Sequence, residues 1–376
     1  MPRVSVVIPT YNRGNLIGQA IDSVLAQSYS DFEIIVSDDG STDDTAARVA
    51  RYGDRVRYVR TANGGVAHAR NVGTREARGD YLAYLDSDDR YYPYALELQT
   101  QLLDRFPEVA FVCAEMSGFD DHGYFERRHL QTYHSSAYRD SAVTYARIFG
   151  ASLPLAAAVR VPASLSSDEA AVGERRVYVG NIFDTYLLKL VLCQNSVMIR
   201  RGVVAEAGER NEFVRYWEDV DFLLRICRRH AICFVDVPTY QLRYHEGQVS
   251  ETGGAHGKYV WARKQQILLR VVKRHALAEP DYYARHRRVI DRQLAHLHRA
   301  AAVPLLLAAT AAATRLGYAK RARPYLRRCT SLGRPARLLW LTSFLPGPVR
   351  RFAVTVVERL RHLRLARQGS TVLVSA

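Results

Sequence analysis

Residues 80–92 read DYLAYLDSDDRYY. A short apolar run, YLAYL, stops in three acids within four positions, Asp86, Asp88 and Asp89, with Ser87 between the first two. Carboxylates this close repel one another unless water, a cation or the metal of a bound polyphosphate offsets them. The run before them has the length and aromatic content of a buried strand. A second stretch repeats the arrangement: FEIIVSD (32–38) is rich in Ile and Val and closes on Asp38 and Asp39.

Outward from these two stretches the pattern alternates. RVSVVIP (3–9), FEIIVSD (32–38), VRYVR (56–60), YLAYLD (81–86) and VAFVCA (109–114) read as strands. GNLIGQAIDSVLAQ (14–27), STDDTAARVARY (41–52), GVAHARNVGTREA (65–77) and PYALELQTQLLDRF (93–106) read as helices, the second capped by Ser41 or Thr42. This alternation predicts βαβ units, and so an α/β fold built on a mostly parallel sheet flanked by helices. Ligands of such sheets gather outside the carboxyl ends of the strands, where both acidic pairs fall. Residues 116–180 are irregular and read as an insertion, whereas EDVDFLLRICRRH (218–230) and ICFVDVP (232–238) resume as helix and strand.

Of the 376 residues, 48% are hydrophobic and 24% charged, ordinary for a folded chain long enough for two domains. Five dispersed cysteines without a CxxC pair argue against a disulfide framework or a zinc site, and for a reducing compartment. The N-terminus has no signal-peptide pattern, and the most apolar stretch, AAAVPLLLAATAAAT (300–314), falls short of the ~18–20 residues of a spanning helix. A cytoplasmic location is expected. Charge is unevenly placed: residues 255–376 hold 25 Lys and Arg against 4 Asp and Glu, and residues 1–254 hold 28 against 34. The basic third attracts polyanions, whether an acidic lipid surface, nucleic acid or an acidic partner.

An Asp-x-Asp at a strand end suits Mn²⁺ or Mg²⁺, which bind through one or two carboxylates together with a substrate's phosphates. By itself the motif more often marks a solvated acidic turn, because three-residue acidic patterns are common by chance. Four blocks in order narrow the choice: VSVVIPTYNR (4–13), SYSDFEIIVSDDGSTDDT (28–45), NGGVAHARNVGTREARGDYLAYLDSDD (63–89) and WEDVDFLLRI (217–226). Together they resemble the family 2 inverting, nucleotide-sugar-dependent glycosyltransferases of the GT-A fold, over roughly residues 3–250.

The resemblance implies a GT-A domain over 1–252, with a donor half to about 115 and an acceptor half from 116, then a basic helical region over 253–376. Pro9, Thr10 and Tyr11 would meet the nucleobase, Asp39 its edge with Asp38 beside it, and Asn63 and Gly64 would form the loop approached closely by the donor. Arg70 would offer its guanidinium to a carboxylate or phosphate. Asp86 and Asp88 correspond to the family's metal-binding pair, Asp88 as direct ligand and Asp86 toward the ribose or the metal, with Ser87 between them and Asp89 orienting either. Asp219 matches the family's base, with Glu218 the fallback, although acids at a helix start also favour its dipole. In LRYHEGQVSE (242–251), Arg243 and His245 are candidates for phosphate contact, or His245 is a strand-end residue bonded to backbone. Trp217 is either a platform for an acceptor sugar or a plug in the core.

The implied activity is transfer of one sugar from a nucleotide sugar, a UDP-sugar first, to a hydroxyl of a saccharide or lipid-linked acceptor, in making cell-surface polysaccharide or glycoconjugate. The Gln-x-x-Arg-Trp motif of processive relatives is missing, which implies one transfer per encounter. The alternative is a non-catalytic nucleotide-sugar or polyanion-binding protein on the same fold. The Arg-rich C-terminal segments suit peripheral contact with the anionic inner face of a membrane, a solvated helical domain being the other reading; nucleic acid is disfavoured because no recognised module is present.

Overall fold

The computed structural model describes residues 1–126, 128–134, 144–166, 174–245, 254–308, 316–327, 338–339, 341–343 and 353–357. The chain divides into two compact units, Met1–His245 and Glu246–Ala376.

The first unit is built on an eleven-stranded sheet with the order β3-β2-β1-β4-β10-β6-β11-β9-β8, β5 pairing with β11 and β7 with β6. Strands β1 (Val4–Thr10), β2 (Phe32–Asp38), β3 (Arg57–Arg60) and β4 (Tyr81–Tyr84) run parallel. They are joined by helices α1 (Ile17–Leu25), α2 (Thr45–Ala50) and α3 (Val66–Glu76). Every residue of β1 and β4 is buried, as expected of strands covered on both faces.

Beyond β4 the sheet is mixed. β10 (Met198–Arg200) enters between β4 and β6 (Val109–Asp120) antiparallel to both, while β11 (Ala231–Arg243) lies parallel to β6. Parallel pairing is therefore confined to the N-terminal βαβ units and the β6–β11 pair; a short strand arriving from an irregular segment is free to reverse. β7 (Gly123–Glu126), β8 (Ala151–Pro154) and β9 (Arg176–Gly180) show that the 116–180 stretch extends the sheet's far edge. β5 (Arg90–Tyr91) pairs with Tyr240 and Gln241, which brings the acidic run 86–89 between the ends of β4 and β11.

Two local readings change. Helix α2 starts at Thr45, because the backbone N–H groups of Ser41 and Thr42 are taken by Asp38 Oδ1 and Asn12 Oδ1, both at 2.7 Å. Helix α4 spans Ala95–Arg105, two residues inside the expected start. Gly73 of α3 packs on β1 so closely that a Cβ there would lie 2.3 Å from Val7 Cγ1.

The second unit contains α6 (Gly254–Ala276), α7 (Pro280–Ala308) and α8 (Leu316–Arg327). Its core gathers Ala262, Ala302, Ala322, Leu326, Leu339, Val354 and Val357. Among the described residues no helix is long and apolar enough to cross a membrane. Much of the basic tail, and Ser250 of the 242–251 segment, lie outside the described residues.

Candidate active site

The carboxyl ends of β1, β2, β4 and β11 carry most of the predicted site residues, the loop after β3, helix α3 and the helix that starts at Glu218 carry the rest, and the reversal at β10 adds a residue not predicted. At β1 and β2, Asp39 is 3% exposed, and its two oxygens accept the backbone N–H of Gly64 and Gly65, each at 2.8 Å. Gly65 caps α3 at φ 93°, a conformation open to glycine at little cost. Asn63 Nδ2 donates to the Asp39 carbonyl at 3.0 Å. Asp38 is fully buried and accepts from the Tyr58 hydroxyl and the Ser41 N–H, so it braces the loop from inside. Tyr11 is 46% exposed, whereas Pro9 and Thr10 are buried. The hydroxyls of Thr10 and Thr61 are buried and have no hydrogen-bond partner among the described residues.

At β4 the acids part company. Asp86 accepts from Arg70 Nη2 at 2.7 Å on one oxygen and from Asn195 Nδ2 at 2.7 Å on the other. Asn195 comes from the 3₁₀ turn before β10, whose antiparallel course sets its start beside the end of β4. The same amide donates to Tyr240 Oη at 2.8 Å, and Tyr240 in turn donates to Asp89. Asp89 is buried, also accepts the Arg243 N–H at 2.6 Å, and is pushed above the usual carboxylate range by burial and by Asp88 and Asp86. Ser87 is buried between them.

Asp88 points elsewhere. Its Oδ2 lies 3.2 Å from His245 Nε2 and 3.5 Å from Arg13 Nε, with the side chain 21% exposed. Arg243 faces the protein: its Nε donates to the Asp88 carbonyl at 2.8 Å, its Nη2 to Gln19 Oε1 at 2.7 Å, and it stacks on Phe119. A carboxylate oxygen and an imidazole nitrogen this close are an acceptable pair of ligands for one divalent ion that draws its remaining oxygens from a diphosphate and water. Among the described residues no group of three or more His, Cys, Asp or Glu side chains is arranged around a metal position, so such an ion would depend on its substrate for most of its shell.

Opposite the acids, α5 (Glu218–Cys227) begins with Glu218 and Asp219. Arg70, 6% exposed, donates from Nη1 to Glu218 and from Nη2 to Asp86, tying the end of β4 to the start of α5. Burial alone would lower the Arg70 pKa, but Asp86, Glu218 and Asp219 more than offset it and keep the guanidinium charged. Asp219 is half-buried and unclaimed by Arg70. Burial raises both acids; Asp219 raises Glu218 further, and Arg70 and Arg210 draw both back. Trp217 caps the helix with φ 64° and ψ 24°, a left-handed conformation that costs a bulky residue ~1–2 kcal/mol and concentrates at functional sites.

Helix α3 holds this turn down. Asn71 accepts the Arg210 N–H and donates to the Arg210 carbonyl, both at 2.9 Å; His68 meets Glu212 at 3.1 Å and Arg75 meets Glu209 at 2.5 Å. Positions 68, 71 and 75 share one helical face, so α3 presents Arg70 to the acids while its neighbours clamp the loop that leads to them. Arg13, Asn195, Tyr240 and Arg210 were not singled out from sequence. Arg13 closes the quoted block 4–13, but Asn195 and Arg210 sit in loops with no pattern to mark them.

Residues 5–157 match the model of glycosyl transferase family 2. This region is a family 2 glycosyltransferase domain. It is similar to an uncharacterized glycosyltransferase of Rickettsia prowazekii, 44% identical over 104 residues, which are 28% of this chain and 33% of that protein. It is also similar to the chondroitin synthase of Pasteurella multocida, 44% identical over 101 residues, 26% of this chain and 10% of that one. The chain thus spans a third or less of the length of these curated relatives. The crystal structure of S. aureus TarS 1–349 in complex with UDP-GlcNAc superposes with a TM-score of 0.57 at 16% identity, covering 98% of this chain and 93% of that one, a likeness of fold. The glycosyltransferase domain has the GT-A fold.

Proposed function

We propose that the protein transfers a single sugar from a nucleoside-diphosphate sugar, UDP-linked by preference, to a hydroxyl of a saccharide or lipid-linked acceptor, with inversion and with Mn²⁺ or Mg²⁺, in cell-surface polysaccharide or glycoconjugate synthesis. One observation carries the reading: a metal-competent pair, Asp88 and His245, and an acid-bearing helix start, Asp219, converge on one end of the sheet, linked through Asp86 and Arg70.

In this reading Asp219 takes the acceptor hydroxyl's proton as the oxygen attacks the anomeric carbon and the bond to the diphosphate breaks. Asp219 is less buried than Glu218 and is not bonded by Arg70, which supports that role, whereas Glu218 is engaged by Arg70 and serves to hold the helix start. Asp88 and His245 would hold the divalent ion, which when bound would supply positive charge to the departing diphosphate. Arg13, 25% exposed beside Asp88, adds a second positive group on the same side. Tyr11, the unpartnered Thr10 and Thr61 hydroxyls and the Asp39–Asn63–Gly64 loop supply an aromatic face and polar edges for a nucleobase. Trp217 borders the base and is assigned to the acceptor.

The second unit supports peripheral contact with an anionic, cytoplasmic membrane face. Arg285, Arg288 and Arg292 form an exposed stripe on α7, and Arg263, Arg270 and Arg274 another on α6, which also exposes Trp261 (39%) on a different face.

The test is calorimetry of UDP, dTDP and GDP with and without Mn²⁺, followed by release of free nucleoside diphosphate from the corresponding sugars. Metal-dependent binding of one diphosphate with turnover supports the transferase. Binding without turnover on any acceptor favours the non-catalytic alternative, and no binding by folded protein sinks both.

A further inference from the structure

Arg210 is 3% exposed and stacks on two rings, its guanidinium carbon 4.2 Å from the Tyr84 centroid and 4.2 Å from that of Phe222. Among the described residues, its Nε and Nη2 are buried without a hydrogen-bond partner. A buried cation in this state is costly, and ring faces return only part of the loss. Phe222 lies three and four positions after Asp219 and Glu218, so the ring under Arg210 belongs to the face of α5 that carries both acids. The backbone of Arg210 is fixed from the other side by Asn71, next to the Arg70 that grips Glu218.

Charge explains why the cation stays. Among the described residues, Asp86, Glu218 and Asp219 share a single directly paired cation, Arg70. Other charged or titratable groups on the elements around Arg210 are Asp221, paired with Arg225 at 3.5 Å on α5, Arg225 itself lying 5.4 Å from the Phe222 centroid, Glu209 and Glu212 on its own loop, which pair with Arg75 and His68 on α3, and Tyr133, Tyr186 and Cys193, which lie near Asp219. When ionised, Asp86, Glu218 and Asp219 together thus carry two carboxylate charges more than Arg70 can balance.

We infer that Arg210 is a positioning residue, the buried counter-cation that keeps Glu218 and Asp219 ionised and in place at the start of α5. The inference rests on reading Asp219 as the base, but its test does not need turnover. The melting temperature of the full chain is followed against pH for wild type, Arg210→Met, Asp219→Asn and the double variant. Only ionised acids miss the cation, so the loss in Arg210→Met is small near pH ~5 and reaches ~5 °C or more near pH ~8. Asp219→Asn recovers much of that loss in the double variant. An equal loss at both pH values, unaffected by Asp219→Asn, makes Arg210 a packing pillar and overturns the proposal. If Arg210→Met does not fold, Arg210→Lys is compared with Arg210→Gln. Lys exceeding Gln by a margin that widens with pH supports the counter-cation, and equality overturns it. Where wild type transfers no sugar, the transferase reading fails while this coupling is still measured. Where turnover is found, the acid limb of its pH profile moves upward in Arg210→Met.

Discussion

Asp88 Oδ2 and His245 Nε2 meet at 3.2 Å across 157 positions of the chain. Parallel strands β4 and β6 and the parallel partner β11 end on the same side, so the residues following β4 and β11 become neighbours. Asp88→Ala and His245→Ala should each weaken metal-dependent nucleoside-diphosphate binding by at least ~10-fold, in keeping with the sensitivity of metal sites to their ligands. Calorimetry with and without Mn²⁺ measures it. Unchanged metal dependence in both variants would remove the ion from this pair.

Asp219→Asn should lower kcat by ~10²–10⁴-fold, the usual worth of a positioned base, with donor KM little changed. Glu218→Gln should instead affect folding first, because it loosens Arg70. Steady-state kinetics beside a melting curve separates the two, and equal kcat losses with equal stability would contradict the division of labour.

Arg70→Met removes the cation between Asp86 and Glu218, both of which it bonds directly. Leaving a buried acid uncompensated costs ~3–5 kcal/mol, so urea unfolding should show a loss of that order. A loss under ~1 kcal/mol would mean the pair is solvated and weak.

Stability and turnover should respond to pH in opposite directions. Burial raises Glu218 and Asp219 above the ordinary carboxylate range, so the folded chain holds protons that the unfolded chain has released. Their contribution to stability is full below that ordinary range and is lost as pH rises through the raised values. With Asp219 as the proposed base, turnover should need it ionised and climb over the same interval. Asp219→Asn should flatten part of the stability slope; an unaltered slope would show that other groups set it.

Gly73→Ala places a methyl against Val7, where there is no room. Overpacking of this kind costs ~1–3 kcal/mol and would push α3 away from β1. Because α3 carries both Arg70 and Asn71, activity should fall further than Tm predicts, and a fall matching Tm alone would uncouple the helix from the site.

Hydrophobic period and strand-end acids made β1 to β4 and their helices legible, since parallel strands covered on both faces announce themselves as Val- and Ile-rich runs. The start of α2 was misread because Ser41 resembles a cap, while its N–H is held by Asp38, a contact that depends on the loop's path. Asn195 gave no local signal: it matters only because β10 reverses and sets it against Asp86.

Residue type and order alone thus determined the α/β donor half, the acidic strand ends and Asp219 at a helix start, all encoded within short windows of chain. Only the tertiary structure decided which donors each acid meets. Asp86 is saturated by Arg70 and Asn195, Asp89 is sealed by Tyr240 and Arg243, and Asp88 alone of the three is turned toward His245. Adjacent carboxylates are chemically alike, and what separates their roles is the set of donors brought to each oxygen from strands and loops more than a hundred residues away.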